Sequence, residues 1–395
     1  MSFRFAGTFG SRPRHACLWL ALAIAPAPFA ATVGDSGDAL VVHEWGTFTS
    51  VADGNGNLVD WLPLTGSSDL PCFVNRLGGR NIKLALGAVR METPVLYFYS
   101  SRPMTLAVHV DFPQGLITEW YPQAAKVESA RFGNTGGRIQ WDAVELRPAD
   151  HPDFPRGKAA SHYYSARQTD SAAILIGQQQ EKMIFYRGMG NVPVPLQPHF
   201  TGGGKLEVRN SSAASIPVVI LFENRGGKAG YKMAREVKTS LTFDTNEFTA
   251  DIGRLRQEME DNLVAQGLYP KEARAMLETW RESWFEEGTR IFYFVPRATV
   301  DSALPLTITP QPKDIARVFV GRIEVLSPWL QENIEAALTT GDAPALEKYG
   351  RFLQPFVNQI SHKHASIVQA QRSTAFLRSA YAKIQHEFDS PVCLE

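Results

Sequence analysis

The chain has 395 residues, in which 40 lysines and arginines balance 40 aspartates and glutamates, so the formal net charge at pH 7 is zero. That balance argues against nucleic acid or an acidic polymer as a partner, because both are held through an excess of cations. With 44% hydrophobic and 11% aromatic residues, the composition is that of a globular protein, and its length allows two or three domains.

Residues 1–31 have the three parts of a secretory signal. Arg4, Arg12, Arg14 and His15 make a positive leader, Cys17 to Ala25 an apolar core, and Ala25 to Ala31 a run of small residues suited to cleavage. The apolar core is shorter than the roughly 20 residues a spanning helix needs, and Pro26 and Pro28 interrupt its end. Cys17 follows Arg14, His15 and Ala16, which is not the setting of a lipidated cysteine. The expected product is secreted or periplasmic and does not span the membrane once the signal is removed. It keeps Cys72 and Cys393, a candidate disulfide in an oxidising compartment. For so long a loop, chain entropy allows up to about 5 kcal/mol.

The stretch Val41 to Ser50, VVHEWGTFTS, reads as an opening strand. Extended, it sends His43 and Trp45 to one face and Glu44 to the other, so His43 and Glu44 cannot converge on one ligand from the same side. It is not a zinc HExxH motif, because Thr47 stands where the second histidine belongs and that motif needs a helix. Asp53 to Asn57 (DGNGN) reads as a turn into a strand over Leu58 to Leu64. A calcium loop would need glycine at Leu58 and glutamate at Leu64.

From Thr93 to Thr245 short strands alternate with Gly and Pro. Thr93–Ser100, Met104–Phe112, Leu116–Tyr121, Ile139–Leu146, His162–Gln168, Ala172–Ile176, Lys182–Arg187, Lys205–Arg209, Pro217–Glu223 and Lys232–Phe243 are the expected strands. Such a succession predicts one or two antiparallel β-sandwiches over residues 32–245, with a seam at 147–160. Past Asn246 the period changes to 3.6. The expected helices are one with a stripe of Phe248, Ile252, Leu255, Met259 and Leu263 that stops at Gly267, a second from Pro270 to Gly288, and others at Pro328–Leu338, Ala343–Gln354 and His362–Ile384, with Pro355 breaking the run. Strands are expected at Ile291–Pro296 and Arg317–Leu326. The fold class is therefore α+β, with a sandwich region followed by a mainly helical region over 246–395.

No complete catalytic or cofactor motif is present, and no cofactor or metal is expected. Gly202 to Lys205 (GGGK) lacks the following Ser or Thr and the helix of a phosphate loop. His362 and His364 would diverge by about 200° on a helix. Glu278, Glu282 and Glu286 would form a solvated stripe. Two constellations carry chemistry. Glu44-Trp45 and Glu119-Trp120 each set a carboxylate beside an indole, as in glycan-active sites, where a hydrolytic pair lies roughly 5 to 9.5 Å apart. Arg187 and Arg225, with His162 to Tyr164 and Glu223, could bind a carboxylate or phosphate bidentately. The candidate catalytic residues are thus Glu44, Glu119, His43 and His162, and the candidate ligand contacts are Trp45, Trp120, Arg187 and Arg225.

The HEWGTFTS opening, HYYSAR at His162–Arg167, FYRG at Phe185–Gly188 and TWRESWFEEGTR at Thr279–Arg290 together resemble a group of exported bacterial proteins of unknown function. The resemblance implies export and a shared architecture. The expected role is non-catalytic binding or assembly with an envelope component or glycan. The alternative is a glycan-directed hydrolase using acids beside Trp45 and Trp120.

Overall fold

The computed structural model describes residues 39–61, 70–77, 88–128, 136–157, 160–364 and 371–380, with Met1 and Ala382. Apart from Met1, the signal segment lies outside the described residues, as does Cys393. Cys72 is disulfide-bonded.

The strands, in chain order, are β1 (Val41–Ala52), β2 (Asn75–Arg76), β3 (Val89–Tyr99), β4 (Met104–Phe112), β5 (Gly115–Tyr121), β6 (Lys126–Glu128), β7 (Gly137–Arg147), β8 (Ala173–Ile176) and β9 (Gln179–Glu181). They continue with β10 (Ile184–Gly190), β11 (Leu196–Gly202), β12 (Lys205–Asn210), β13 (Ile216–Arg225), β14 (Lys228–Val237), β15 (Ser240–Asp244), β16 (Gly288–Phe294), β17 (Leu306–Thr309) and β18 (Asp314–Val325). Among the described residues, the α-helices are α1 (Ile252–Ala265), α2 (Pro270–Thr279), α3 (Arg281–Trp284), α4 (Arg297–Ala303), α5 (Pro328–Thr340), α6 (Ala343–Glu347) and α7 (Leu353–His364), and residues 371–380 are helical as well. The chain is thus a mixed α and β structure, and among the described residues its α-helices fall in the C-terminal part.

A nine-stranded sheet, in the order β14-β13-β16-β18-β1-β3-β10-β5-β2, forms the centre, and strands from both sides of residue 245 share it. Strand β1 lies between β3, antiparallel, and β18, parallel in unbroken register from Val41↔Asp314 to Ala52↔Val325. The parallel pair departs from the antiparallel expectation. Parallel neighbours need a long crossover, which the chain between β1 and β18 supplies. Six strands form a second sheet, β17-β4-β7-β8-β9 with β6 on β7, and β11-β12-β15 form a third.

Each face of the central sheet has its own core. On one, Val42, Phe48, Leu96, Tyr186 and Phe319 pack with Leu106, Val108, Val110 and Phe112, the face of β4 that its period-two pattern marks as apolar. On the other, Trp45, Tyr97, Phe185 and Val318 pack with Leu255 and Met259 of α1 and Ala273 and Met276 of α2. A third cluster joins Val51 and Trp61 to Leu330, Ile334, Phe352 and Phe356 of the last helices. Burying each such large side chain contributes about 1.5–3 kcal/mol.

Several expected elements differ. Residues 162–167 form a 3-10 helix, not a strand, started by the Ser161 side chain accepting from the Tyr163 amide at 3.2 Å. The strand expected over Lys232–Phe243 divides into β14 and β15 near Glu236, where φ is +61°. Of the strand expected after Asp53, the described part is an isolated bridge between Ala52 and Leu58. The turn expected over Asp53–Asn57 is present, with Asp53 Oδ1 accepting the amides of Asn55 at 2.8 Å and Asn57 at 2.9 Å, an Asx turn. The helix expected to reach Gly288 ends at Thr279, where Trp280 leaves helical geometry at φ −105° and ψ 7°. That break dissolves the acidic stripe. Glu278 pairs with Arg256 and Arg281, Glu282 with His162, and Glu286 with Arg322. Pro355 does not end a helix but lies in the first turn of α7, where it costs no internal hydrogen bond. His362 and His364 are in α7, so their backbone geometry is helical. Among the described residues no helix is long and apolar enough to cross a membrane.

Candidate functional site

The central sheet is irregular in one zone. Pairing of β1 with β3 jumps from Trp45↔Val95 to Thr47↔Glu92, and pairing of β10 with β3 from Phe185↔Val95 to Gly188↔Met91. The register of β10 on β5 shifts between Arg187 and Gly188 as well. Thr93 and Pro94 form the bulge, and Thr93 sits at φ +53°, an uncommon conformation for a β-branched residue. A bulge redirects the side chains beside it. Here Thr93 and Arg187 are turned toward the helical side, with Arg187 Nη2 at 3.4 Å from Thr93 Oγ1. Gly188 follows because a side chain there would meet Leu116 O at 2.4 Å.

Over this zone lies a cavity of about 170 Å³. The 3-10 helix contributes His162 and Tyr163, β10 contributes Phe185 and Arg187, and the stretch from the end of α2 to just past α3 contributes Thr279, Trp280, Ser283 and Glu286. Leu70, Thr93 and Arg351 complete the wall. Three of the four phrases singled out in the sequence, HYYSAR, FYRG and TWRESWFEEGTR, therefore meet at one place.

Each contributor is held by buried polar contacts. The 3-10 helix is anchored by Arg167, which bonds Glu181 through Nε at 2.9 Å and Nη2 at 2.6 Å and the Pro155 carbonyl at 2.7 Å. Burial, and the Glu181 charge after it, push the Tyr163 phenol well above its ordinary range, so it stays neutral. The turn that leads from α3 into β16 is fixed by Arg290, whose side chain is fully buried. Its Nη1 donates to the carbonyls of Trp284 and Glu286 at 2.8 Å each, its Nη2 to Glu287 at 3.0 Å, and its Nε faces Glu324 at 2.9 Å. The rings of Trp280 and Trp284 stack at 6.3 Å and 4°. Arg322 Nη2 bonds Glu286 at 2.8 Å.

Glu92, beside Thr93, takes both Nη atoms of Arg351, one at 3.0 Å, and the Thr49 hydroxyl. Burial alone would raise its carboxyl, but the Arg351 guanidinium and its hydrogen bonds hold it below the usual range. Burial draws the neighbouring Arg90 down to about 10, against the pull of Glu92 and Glu119.

Of the sequence candidates, His162 and Arg187 line the cavity. His162 Nε2 lies 3.4 Å from the exposed Glu282. Glu119 pairs in register with Arg187 across β5 and β10, is 4% exposed, and accepts from Thr118. Glu44 is fully buried on the opposite side of the sheet, bonded by Tyr186 and Arg317. His43 is 3% exposed, with Nδ1 at 2.7 Å from Glu272, which also accepts from the Tyr99 hydroxyl at 2.7 Å and the Tyr269 amide at 2.7 Å. Trp45 and Trp120 are buried in separate cores. Arg225 bonds Glu223 at 2.6 Å and lies over the Trp329 ring, remote in sequence and partners from the cavity. The sequence reading missed Thr93, Trp280, Ser283, Glu286 and Arg351 as lining residues. Among the described residues no group of three or more His, Cys, Asp or Glu side chains is placed to hold a metal ion.

No family model matches the chain, and no curated protein matches it. Solved structures that resemble it include the Mu homology domain of Fcho1 from Danio rerio with a bound Eps15 peptide, at 7% identity and a TM-score of 0.31, covering 73% of this chain and 96% of that one. The yeast delta-COP-I mu-homology domain complexed with a Dsl1 WxWxV peptide has 6% identity and a TM-score of 0.28, covering 73% of this chain and 98% of that one. Likeness at this level assigns neither a fold family nor a role.

Proposed function

We propose that this chain is an exported periplasmic or envelope protein that holds a small ligand and does not transform it, on a scaffold whose stacked sheets form a β-sandwich. The observation that carries the reading is the make-up of the cavity wall. Among the described residues that line it, cations, aromatic rings and hydroxyls surround the space, and the one carboxylate, Glu286, is already bonded by Arg322. Acid–base catalysis needs a proton carrier within reach of the substrate, with a partner of complementary role. The carboxylates expected to pair for hydrolysis, Glu44 and Glu119, are both buried and bonded. The meeting of three recurring phrases at the cavity supports a shared binding site in the proteins that the chain resembles.

Two experiments test this reading. Fractionation of a Gram-negative host followed by N-terminal sequencing should find the chain in the periplasm, starting within or after the Ala25 to Ala31 run. Full-length product confined to the cytoplasm would remove the export reading. A thermal-shift screen of sugars, peptides and organic acids, with mass spectrometry of each stabilising compound, should return that compound unchanged. Conversion of any of them would make the protein an enzyme.

A further inference from the structure

The charged groups of the cavity wall are taken up within the protein. Arg351 gives both Nη atoms to Glu92, Glu286 takes Arg322 Nη2 at 2.8 Å, and Arg187 stands in register with Glu119 and reaches Thr93 Oγ1. The neutral donors are no freer. The Thr279 hydroxyl donates to the Ala275 carbonyl at 2.8 Å and the Tyr163 hydroxyl to Glu181 at 3.0 Å, while Trp280 Nε1 and Ser283 Oγ are buried out of reach of a guest. A charged guest would give up its water for groups that already have partners, and that exchange is costly.

What the wall offers instead is apolar surface in fixed positions. Trp280 is stacked on Trp284 at 6.3 Å and 4°, and Tyr163 meets Phe185 edge to face at 5.3 Å, so three of the lining rings are set by their neighbours before anything binds. Leu70 adds an aliphatic wall, and His162, with a side chain 44% exposed, stands where the space meets solvent. The volume of about 170 Å³ is close to the roughly 150 Å³ at which an apolar cavity takes up benzene, and well under the roughly 300 Å³ at which pockets for drug-sized molecules begin. Resting on the binding reading above, we infer that the cavity takes a free, uncharged compound built on a single six-membered ring. The ring is held by burial against Trp280, Tyr163, Phe185 and Leu70, and no ion pair fixes it.

Isothermal titration of the mature chain would compare phenol and benzyl alcohol with benzoate and benzylammonium, rings of nearly one size that differ in charge. The neutral rings should bind with a Kd of about 1 mM or tighter, and each charged ring about tenfold or more weakly. Leu70→Trp fills the space and should weaken phenol binding about tenfold. Leu70→Ala widens it and should raise the ratio of 2-naphthol to phenol affinity about threefold or more. Arg209→Met, at an exposed position on β12, should leave both quantities unchanged. Thermal melts of each variant separate these effects from unfolding, and the comparison of neutral with charged rings needs no variant at all.

Benzoate or benzylammonium binding as tightly as phenol, no neutral ring binding at about 10 mM, or phenol affinity unmoved by a folded Leu70→Trp chain would each overturn the inference. Conversion of a bound ring compound would instead refute the binding-only reading and leave recognition of an uncharged ring standing.

Discussion

Replacing Arg317 with methionine keeps most of the side-chain volume and removes the charge that Glu44 faces. The Glu44 and Arg317 side chains are 0% and 2% exposed, on neighbouring strands in the middle of the sheet. One Glu44 oxygen takes Arg317 Nε and the other the Tyr186 hydroxyl, while Arg317 Nη1 reaches Asp301 at 2.8 Å. Burial alone would lower the Arg317 guanidinium, but Glu44 raises it above its ordinary value, so Arg317 stays charged. In Arg317→Met, Glu44 keeps a single neutral donor for a buried charge. Removing one partner of such a pair costs about 3–5 kcal/mol. We expect the lower end, about 3 kcal/mol, because Asp301 is 46% exposed and is hydrated when released. Glu44→Gln combined with Arg317→Met removes both charges and should recover at least about 1 kcal/mol of that loss. Urea unfolding at pH 7, followed by tryptophan fluorescence with slopes compared, measures both quantities. A loss below about 0.5 kcal/mol for Arg317→Met, or a double variant at the sum of the two singles, would refute the argument that this pair is a structural lock. Glu44→Gln alone should leave ligand binding unchanged, since Glu44 lies across the sheet from the cavity.

Gly46→Ala places a methyl 2.6 Å from the Phe319 ring, which is stacked on Phe48, and should cost about 1–3 kcal/mol in the same unfolding assay. Glu92, held below the usual carboxylate range, contributes stability that is present above its unfolded pKa near 4.5 and lost as pH falls through its lower folded value. Urea midpoints measured from neutral to acid pH should show Glu92→Gln less stable at neutral pH and flatter through that acid window, and an unchanged acid limb would count against the Arg351 contact. Arg290→Met leaves the Glu324 carboxylate with one arginine fewer and frees three carbonyls of the turn between α3 and β16, so a loss of about 3–5 kcal/mol is expected on thermal or urea unfolding.

What the sequence disclosed of the fold follows from where its signals are local. Strand β4 has one buried and one partly exposed face, so its period of two is plain, and its predicted bounds coincide with the observed ones. Helix α1 shows its stripe through Leu255, Met259 and Leu263 for the same reason. The pairing of β1 with β18 was not legible. Both strands are buried throughout much of their length yet carry charges whose partners stand far away in sequence, Glu44 with Arg317 being the plainest case. The aromatic residues of HYYSAR favour a strand, whereas Ser161 as a cap and Arg167 reaching Glu181 favour a tight turn.

The candidate site was legible as a set of phrases, and His162 and Arg187 could be picked from them. Trp280 could not, because its position fits the apolar stripe of a continuous helix; its place at a break becomes visible only when Arg290 is seen binding the carbonyls beyond it. Thr93 is harder still. A residue before proline prefers an extended backbone, so the sequence points away from the left-handed conformation it adopts. Such a residue costs of order 1–3 kcal/mol and persists only where its surroundings over-determine it. Glu92 on one side is bound by Thr49 and Arg351, and Arg187 on the other reaches the Thr93 hydroxyl. The cavity is therefore shaped by contacts that override a local preference, and local preference is what a single sequence displays.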